Sequence, residues 1–430
     1  MENVIKVENK RTGDHYYQYK HPSGLNIIIY PKTKFRTTYA MFSTKYGSID
    51  ICFKKNGEEK VTKVPAGIAH FLEHKLFESE DGDAFARYAA IGASANAYTS
   101  FESTCYLFST TQNVYDALTI LLDFVQSPYF TDETVNKEMG IIGQEIRMYD
   151  DDPSWRVMFN MLEAMYHKHP IKVDIAGTTE SIAEITPQYL YDCYNTFYNL
   201  NNMSLVIAGN IDHEYALSMC DKMLKVKEPI TVERVFDDEP AEIVKPYVEE
   251  KLSVAMPLFQ FGYKEDASAG LVDEKTLATT EILLEILASE SSELFKRLSD
   301  AELVNEASFS YEFFEGEGYS SIMFGGESRD PKRVAEEIKK EVAKFKAEGI
   351  PADSFEICKK SLYGTNISGL NSASNIANAI TSLGFKNREI FTYIDSYADI
   401  TLKDVEDRLQ ELMQEDKAVL SVVFPDTDII

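Results

Sequence analysis

The stretch "GIAHFLEHKLFE", residues 67–78, carries two of the chain's seven histidines, with a glutamate directly before the second. Positions i and i+4 of an α-helix share a face, so His70 and His74 point the same way. Two imidazoles at that spacing can grip one Zn2+ ion. Glu73 follows His70 by three residues and lies beside the same face. It is placed to take a proton from a water that the metal acidifies. The competing reading is an ordinary amphipathic helix that happens to hold two histidines. The intervening glutamate favours the metal, because H-x-x-E-H is the inverse of the commoner zinc-protease motif.

A catalytic zinc takes three protein ligands and keeps one position open. The third ligand must come from elsewhere in the chain. The remaining histidines are His15, His21, His167, His169 and His213. A carboxylate source is "NKEMGIIGQEIRMY" (136–149), where Glu138 and Glu145 stand seven residues apart, two helical turns, on one face. Met139, Ile141, Ile142 and Ile146 fall elsewhere around that helix. Taken alone, the two glutamates would also fit a solvated acidic stripe.

The surrounding chain sets the frame. At 430 residues it is long for one core, and two domains are expected. The formal net charge of −27 argues against nucleic acid and anionic membranes as partners and suits neutral or basic peptides. Five scattered cysteines form no C-x-x-C pair, so neither a cysteine zinc site nor a disulfide framework is expected. "MENVIKVENK" (1–10) has no apolar segment of the signal-peptide type, and no apolar run is long enough to span a membrane. A reducing, cytoplasmic location is the expectation.

Two similar patterns follow one another. "LNIIIYP" (25–31), "TYAMFSTKYGSID" (38–50), "ASANAYTSF" with "STCYLFST", and "NMSLVIAGNID" (202–212) read as strands. The motif, 81–92, 113–128 and 131–153 read as helices. After residue 246 come a strand region (251–263), a helix (275–289), two strands (307–326) and two helices around a Gly-Ile-Pro break (330–364). Residues 226–246, with three prolines and many acids, read as a linker. The expected domains are 1–225 with the metal motif, the linker 226–246, and 247–430 without one. The expected class is α+β: an internal duplication in which each half is a mostly antiparallel sheet with helices on one face.

"PAGIAHFLEHKLFE", "GASANAYTSFESTCYLF", "NKEMGIIGQEIRMYDDDP" and "YNLNNMSLVIAGNID", in that order, resemble the pitrilysin/insulinase zinc metallopeptidases. The likeness is greatest to their short, mitochondrial-processing-peptidase-like branch and its bacterial YmfH-type members. The resemblance implies His70, His74 and Glu145 as ligands of one zinc per chain, Glu73 as general base and Glu138 as a carboxylate orienting a ligand. It implies that "ASANAYTSF" is an edge strand on which an extended peptide adds as a further strand, through Ser94, Ala95, Asn96 and Ala97. It also implies that the two halves form a half-shell around a peptide chamber.

One part of the pattern is missing. Members of this family that act alone carry an arginine and a tyrosine in the second half. In "ELFKRLSDAELVNEASFSY" Ser299 and Asn305 stand at those places, with Arg297, Tyr311 and Tyr319 out of register. The resemblance therefore implies a homologous partner subunit that supplies the pair, a homodimer being the other arrangement. The reading is a zinc endopeptidase subunit. A non-catalytic scaffold and a zinc-dependent peptide-binding subunit are the rivals, and metal content and a Glu73→Gln variant separate them.

Overall fold

The computed structural model describes residues 4–80 and 82–426. Asp81, in the stretch expected to be helical over 81–92, lies outside the described residues; the helix itself is Ala84–Ala90. The chain forms two compact units. One comprises residues 1–146, 173–235 and 367–391, the other 147–172, 236–366 and 392–430.

The first unit is built on a seven-stranded sheet. Its order is Val4–Glu8, His15–Lys20, Asn26–Pro31, Met203–Gly209, Thr38–Thr44, Thr104–Thr110 and Ser94–Thr99. Only the pairing of Met203–Gly209 with Asn26–Pro31 is parallel. The second unit has five strands in the order Tyr247–Leu252, Ala418–Pro425, Leu258–Lys264, Tyr319–Glu327 and Ser310–Gly316. Again only one pairing, the first, is parallel. Numbered by their place in the chain, the last five strands of the first sheet and the five of the second share the order 1-5-2-4-3, with the same senses. Shared order and sense in both halves is the signature of a duplicated α+β unit.

The strands follow from their residues. "NIIIYP" and "MSLVIAG" are near-continuous apolar runs, as a strand covered on both faces requires. All seven residues of Met203–Gly209 are buried. The expectation of helices on one face is therefore too narrow. The helix Ala373–Phe385, from the second half of the sequence, packs on Thr38–Thr44 and Met203–Gly209. Reciprocally, Pro153–Met165 belongs to the second unit and packs on its three strands Tyr247–Leu252, Leu258–Lys264 and Ala418–Pro425. The compact units are thus interleaved in sequence.

The strand expected over 38–50 stops at Thr44. Beyond it Asp50 closes a turn by accepting the Gly47 N–H at 2.8 Å. The proline-rich stretch 226–246 is tied down along its length. Val232–Arg234 pairs with Cys52–Lys55, and Arg234 forks onto buried Asp50, with one arm at 3.1 Å. Further on, Glu239 accepts the backbone N–H groups of His167, Lys168 and His169 and the Lys264 ammonium. Those bonds outweigh the burial that would raise its pKa and hold the carboxyl down at about 2.

Candidate metal centre

All of the candidate site residues lie in the first unit. The motif helix is Ile68–Leu76, and Gly67 starts it with a φ of 85°. A Cβ at Gly67 would stand 2.3 Å from the Ala176 carbonyl oxygen, so only glycine fits. Ser181 Oγ donates to the Ala66 carbonyl at 2.9 Å and fixes the same approach. The helix buries Ile68, Ala69, Phe71, Leu72 and Leu76, and so turns His70, Glu73 and His74 toward a second helix. That helix, Asp132–Asp150, buries Val135, Ile142 and Ile146. Its acidic first turn complements the helix dipole.

The second helix brings Glu138 and Glu145 to the histidines. His70 Nε2 stands 3.7 Å from Glu145 Oε1, and His74 Nε2 stands 3.4 Å from Glu145 Oε2. Donor atoms of His70, His74 and Glu145 all fall within 4.8 Å of one another. These separations are long for hydrogen bonds. They are close to the roughly 3.4 Å between ligand atoms of a tetrahedral zinc with bonds near 2.05 Å. The donor set, two imidazoles and one carboxylate, fits that ion.

Glu138 does not join the three. Its Oε1 meets His74 Nδ1 at 3.0 Å. With the proton on Nδ1 donated to Glu138, the lone pair of His74 Nε2 is presented to the centre. Burial works against the charges of both partners, but their mutual bond prevails: the Glu138 carboxyl lies below its ordinary value and His74 above it. His70 is different. Burial and the neighbouring His74 hold its pKa down at about 4, so it stays neutral, the form that binds metal. Among the described residues its buried Nδ1 has no hydrogen-bond partner.

Glu73 is half-buried, and its Oε2 accepts the Thr99 hydroxyl at 2.8 Å. Burial pushes the Glu73 carboxyl up, while Thr99 and His74 pull it back. A cavity of about 560 Å³ opens beside it, lined by Glu73, His74, Phe77, Phe85, Asn96 and Glu138 among others. Phe77 and Phe85 stack at 4.1 Å, and Glu78, Glu80, Asp83 and Lys137 also line it. Glu78 also pairs with Lys75, whose side chain is fully buried.

Ser94, Ala95, Asn96 and Ala97 lie on the outermost strand of the sheet, which among the described residues pairs on one side only, with Thr104–Thr110. Exposure alternates along it: Ser94, Asn96 and Tyr98 are exposed, and Ala95, Ala97 and Thr99 are half-buried. Of the four expected contact residues, Asn96 and Ala97 line the cavity. The sequence reading missed Thr99, although the period of two places it on the face of Ala97, toward the motif helix. It also gave no role to Phe77 and Lys75, both inside the opening stretch.

Around Ser299 and Asn305 the second unit satisfies its own polar groups. Ser299 bonds to Glu306, and Asn305 Nδ2 donates to Glu327 at 2.6 Å. Arg297 is paired with Glu341 at 2.7 Å, and Tyr311 donates to Glu285 at 2.7 Å. Among the described residues no helix is long and apolar enough to cross a membrane.

Comparison with known proteins identifies the family. Residues 56–179 match the insulinase family, peptidase family M16, and residues 184–362 match the M16 peptidase inactive domain. The uncharacterized zinc protease YmfH of Bacillus subtilis is 41% identical over 428 residues, 98% of this chain and 99% of the relative. The probable mitochondrial-processing peptidase subunit beta of Arabidopsis thaliana is 26% identical over 60% of this chain and 52% of its own. A crystal structure of an M16-like protein from Alicyclobacillus acidocaldarius superposes with a TM-score of 0.92 at 35% identity, covering 98% of this chain and all of that one. Near-complete coverage at 41% identity, on a shared fold, means that this chain belongs to the M16 family of insulinase-type peptidases.

Proposed function

We propose that the chain is a zinc-dependent endopeptidase subunit that hydrolyses peptide bonds in extended peptides. The observation that carries this is the convergence of His70, His74 and Glu145 at tetrahedral-edge distances beside Glu73 and an open cavity. When bound, zinc supplies Lewis acidity, making a water acidic and a carbonyl electrophilic. His70, His74 and Glu145 would hold the ion, and Glu138 keeps His74 in the tautomer that leaves Nε2 free to bind. Glu73 accepts the proton of the attacking water at Oε1, since Oε2 is engaged by Thr99, and returns it to the departing amide nitrogen. Backbone groups of Ser94–Thr99 hold the peptide as an added strand, with Asn96 and Ala97 beside the reacting bond.

Turnover of this kind also needs a donor for the developing oxyanion. Ser299 and Asn305 do not carry the arginine and tyrosine of the family, so a homologous partner subunit supplies them. The relative named as a beta subunit supports a paired arrangement. The test uses quenched peptides with the purified chain, alone and with candidate partner chains. Cleavage should require the mixture, stop with a chelator, and vanish in Glu73→Gln while stoichiometric zinc remains. Undiminished cleavage by Glu73→Gln would sink the mechanism. Full activity of the chain alone would sink the partner.

A further inference from the structure

The base has to be held from outside its own helix. Glu73 has three side-chain torsions, and burial of its carboxylate costs free energy unless a donor compensates. That donor is Thr99, at 2.8 Å, from the far end of the outermost strand. The direction of the bond is settled by its neighbours. Thr104, paired with Thr99 across the strands, spends its one hydroxyl hydrogen on the Tyr46 carbonyl at 2.9 Å. The hydrogen of Thr99 is left for Glu73, and an ionised carboxylate can only accept.

We propose that Thr99 is a positioning residue for the reaction: its hydroxyl fixes the Glu73 carboxylate by one oxygen, leaves the other for proton transfer, and couples the base to the strand on which the peptide docks. This rests on the hydrolytic reading given above. The duplicated unit contains a related link, Tyr311 on its outermost strand donating to Glu285 on its long helix at 2.7 Å. A strand-to-helix link is therefore part of the architecture, and the proposal concerns what the link does to Glu73.

The test compares wild type with Thr99→Val, Thr99→Ser, Thr99→Ala and Glu73→Gln, each zinc-loaded, in the peptide assay. A charge-assisted bond of this strength corresponds to roughly a 10- to 100-fold change. Thr99→Val and Thr99→Ala should lose that factor in kcat, with KM within about threefold and zinc stoichiometry unchanged. Thr99→Ser, which keeps the hydroxyl, should stay within about threefold of wild type. Difference infrared spectra of the carboxylate stretch need no turnover. Thr99→Val should shift one band, and that band should be absent in Glu73→Gln. The proposal is overturned by an unshifted spectrum, by kcat of Thr99→Val near wild type, by a loss carried in KM alone, or by Thr99→Ser failing as badly as valine. A wild type that binds zinc but cleaves nothing with any partner refutes the hydrolytic reading instead, and the infrared result then still decides whether Thr99 holds Glu73.

Discussion

Replacing Glu138 should weaken zinc binding without removing any ligand. Its carboxylate accepts the Nδ1 proton of His74 at 3.0 Å, and only 13% of its side chain and 25% of that of His74 are exposed. Screening by water is therefore modest. Groups that orient a ligating histidine change metal affinity by about 10- to 100-fold, or about 1.4 to 2.7 kcal/mol. Glutamine keeps an acceptor but loses the charge, so Glu138→Gln belongs near the lower end. Alanine leaves the imidazole N–H unpaired and its ring free to turn, so Glu138→Ala belongs near the upper end. Competition against a chromophoric chelator at one fixed pH measures the constants directly. Glu80→Gln, on the exposed wall of the same cavity, serves as the control and should stay within about twofold. If Glu138→Ala binds zinc within threefold of wild type, Glu138 does not orient His74, and the assignment of Nε2 to the centre loses its support.

Three further effects bear on stability. Zinc at a thousandfold excess over its dissociation constant should stabilise the chain by about 4 kcal/mol, and this gain should disappear in His70→Ala, as read from urea unfolding with and without chelator. Arg234→Met strands the fully buried Asp50 carboxylate and should cost roughly 3 to 5 kcal/mol, while the double variant with Asp50→Asn should recover most of the loss. Burial raises the pKa of Glu265 from the ordinary 4.5 to about 7, against the Met413 N–H and nearby cations that lower it. The folded state thus keeps this proton to higher pH than the unfolded chain. Its contribution is present below pH 4.5 and is lost as pH rises through 7, by about 3 kcal/mol at most. Glu265→Gln, followed by thermal unfolding from pH 5 to 8, should gain on wild type across that window; a parallel pair of curves would contradict the shift.

The site was more legible in the sequence than its surroundings. His70, Glu73 and His74 sit on one helical turn, so the 3.6-residue period alone places them together. Glu138 and Glu145 share a face by the same period, yet nothing local says that this face meets the first helix, or which glutamate meets the histidines. The structure separates them: Glu145 faces both histidines while Glu138 bonds to the back of His74. Helix exchange was not legible. Pro153–Met165 and Ala373–Phe385 are amphipathic like any surface helix, and periodicity reports that a face is buried but not which sheet buries it. Similarly, the prolines and acids of 226–246 read as a tether because their partners are backbone N–H groups and single charges far away in sequence. Glu239 and Arg234 each find such a partner, and composition carries no trace of it.

The same contrast explains why Thr99 escaped notice and why it matters. A helix sets the distance between His70 and His74 through its rigid backbone, but it does not set where the Glu73 carboxylate points. That choice belongs to side-chain torsions, and only a contact from another element can fix it. The contact here comes from the outermost strand of the seven-stranded sheet, which pairs on one side and contributes residues to the cavity wall. A peptide pairing with that edge would pull on the same backbone that presents the Thr99 hydroxyl. Disturbing the strand should thus reach the base without touching the ligands. Asn96→Pro, which removes a backbone donor on this strand, should lower peptide affinity and kcat together while zinc affinity holds. A loss of peptide affinity with kcat intact would show that docking and proton transfer are independent.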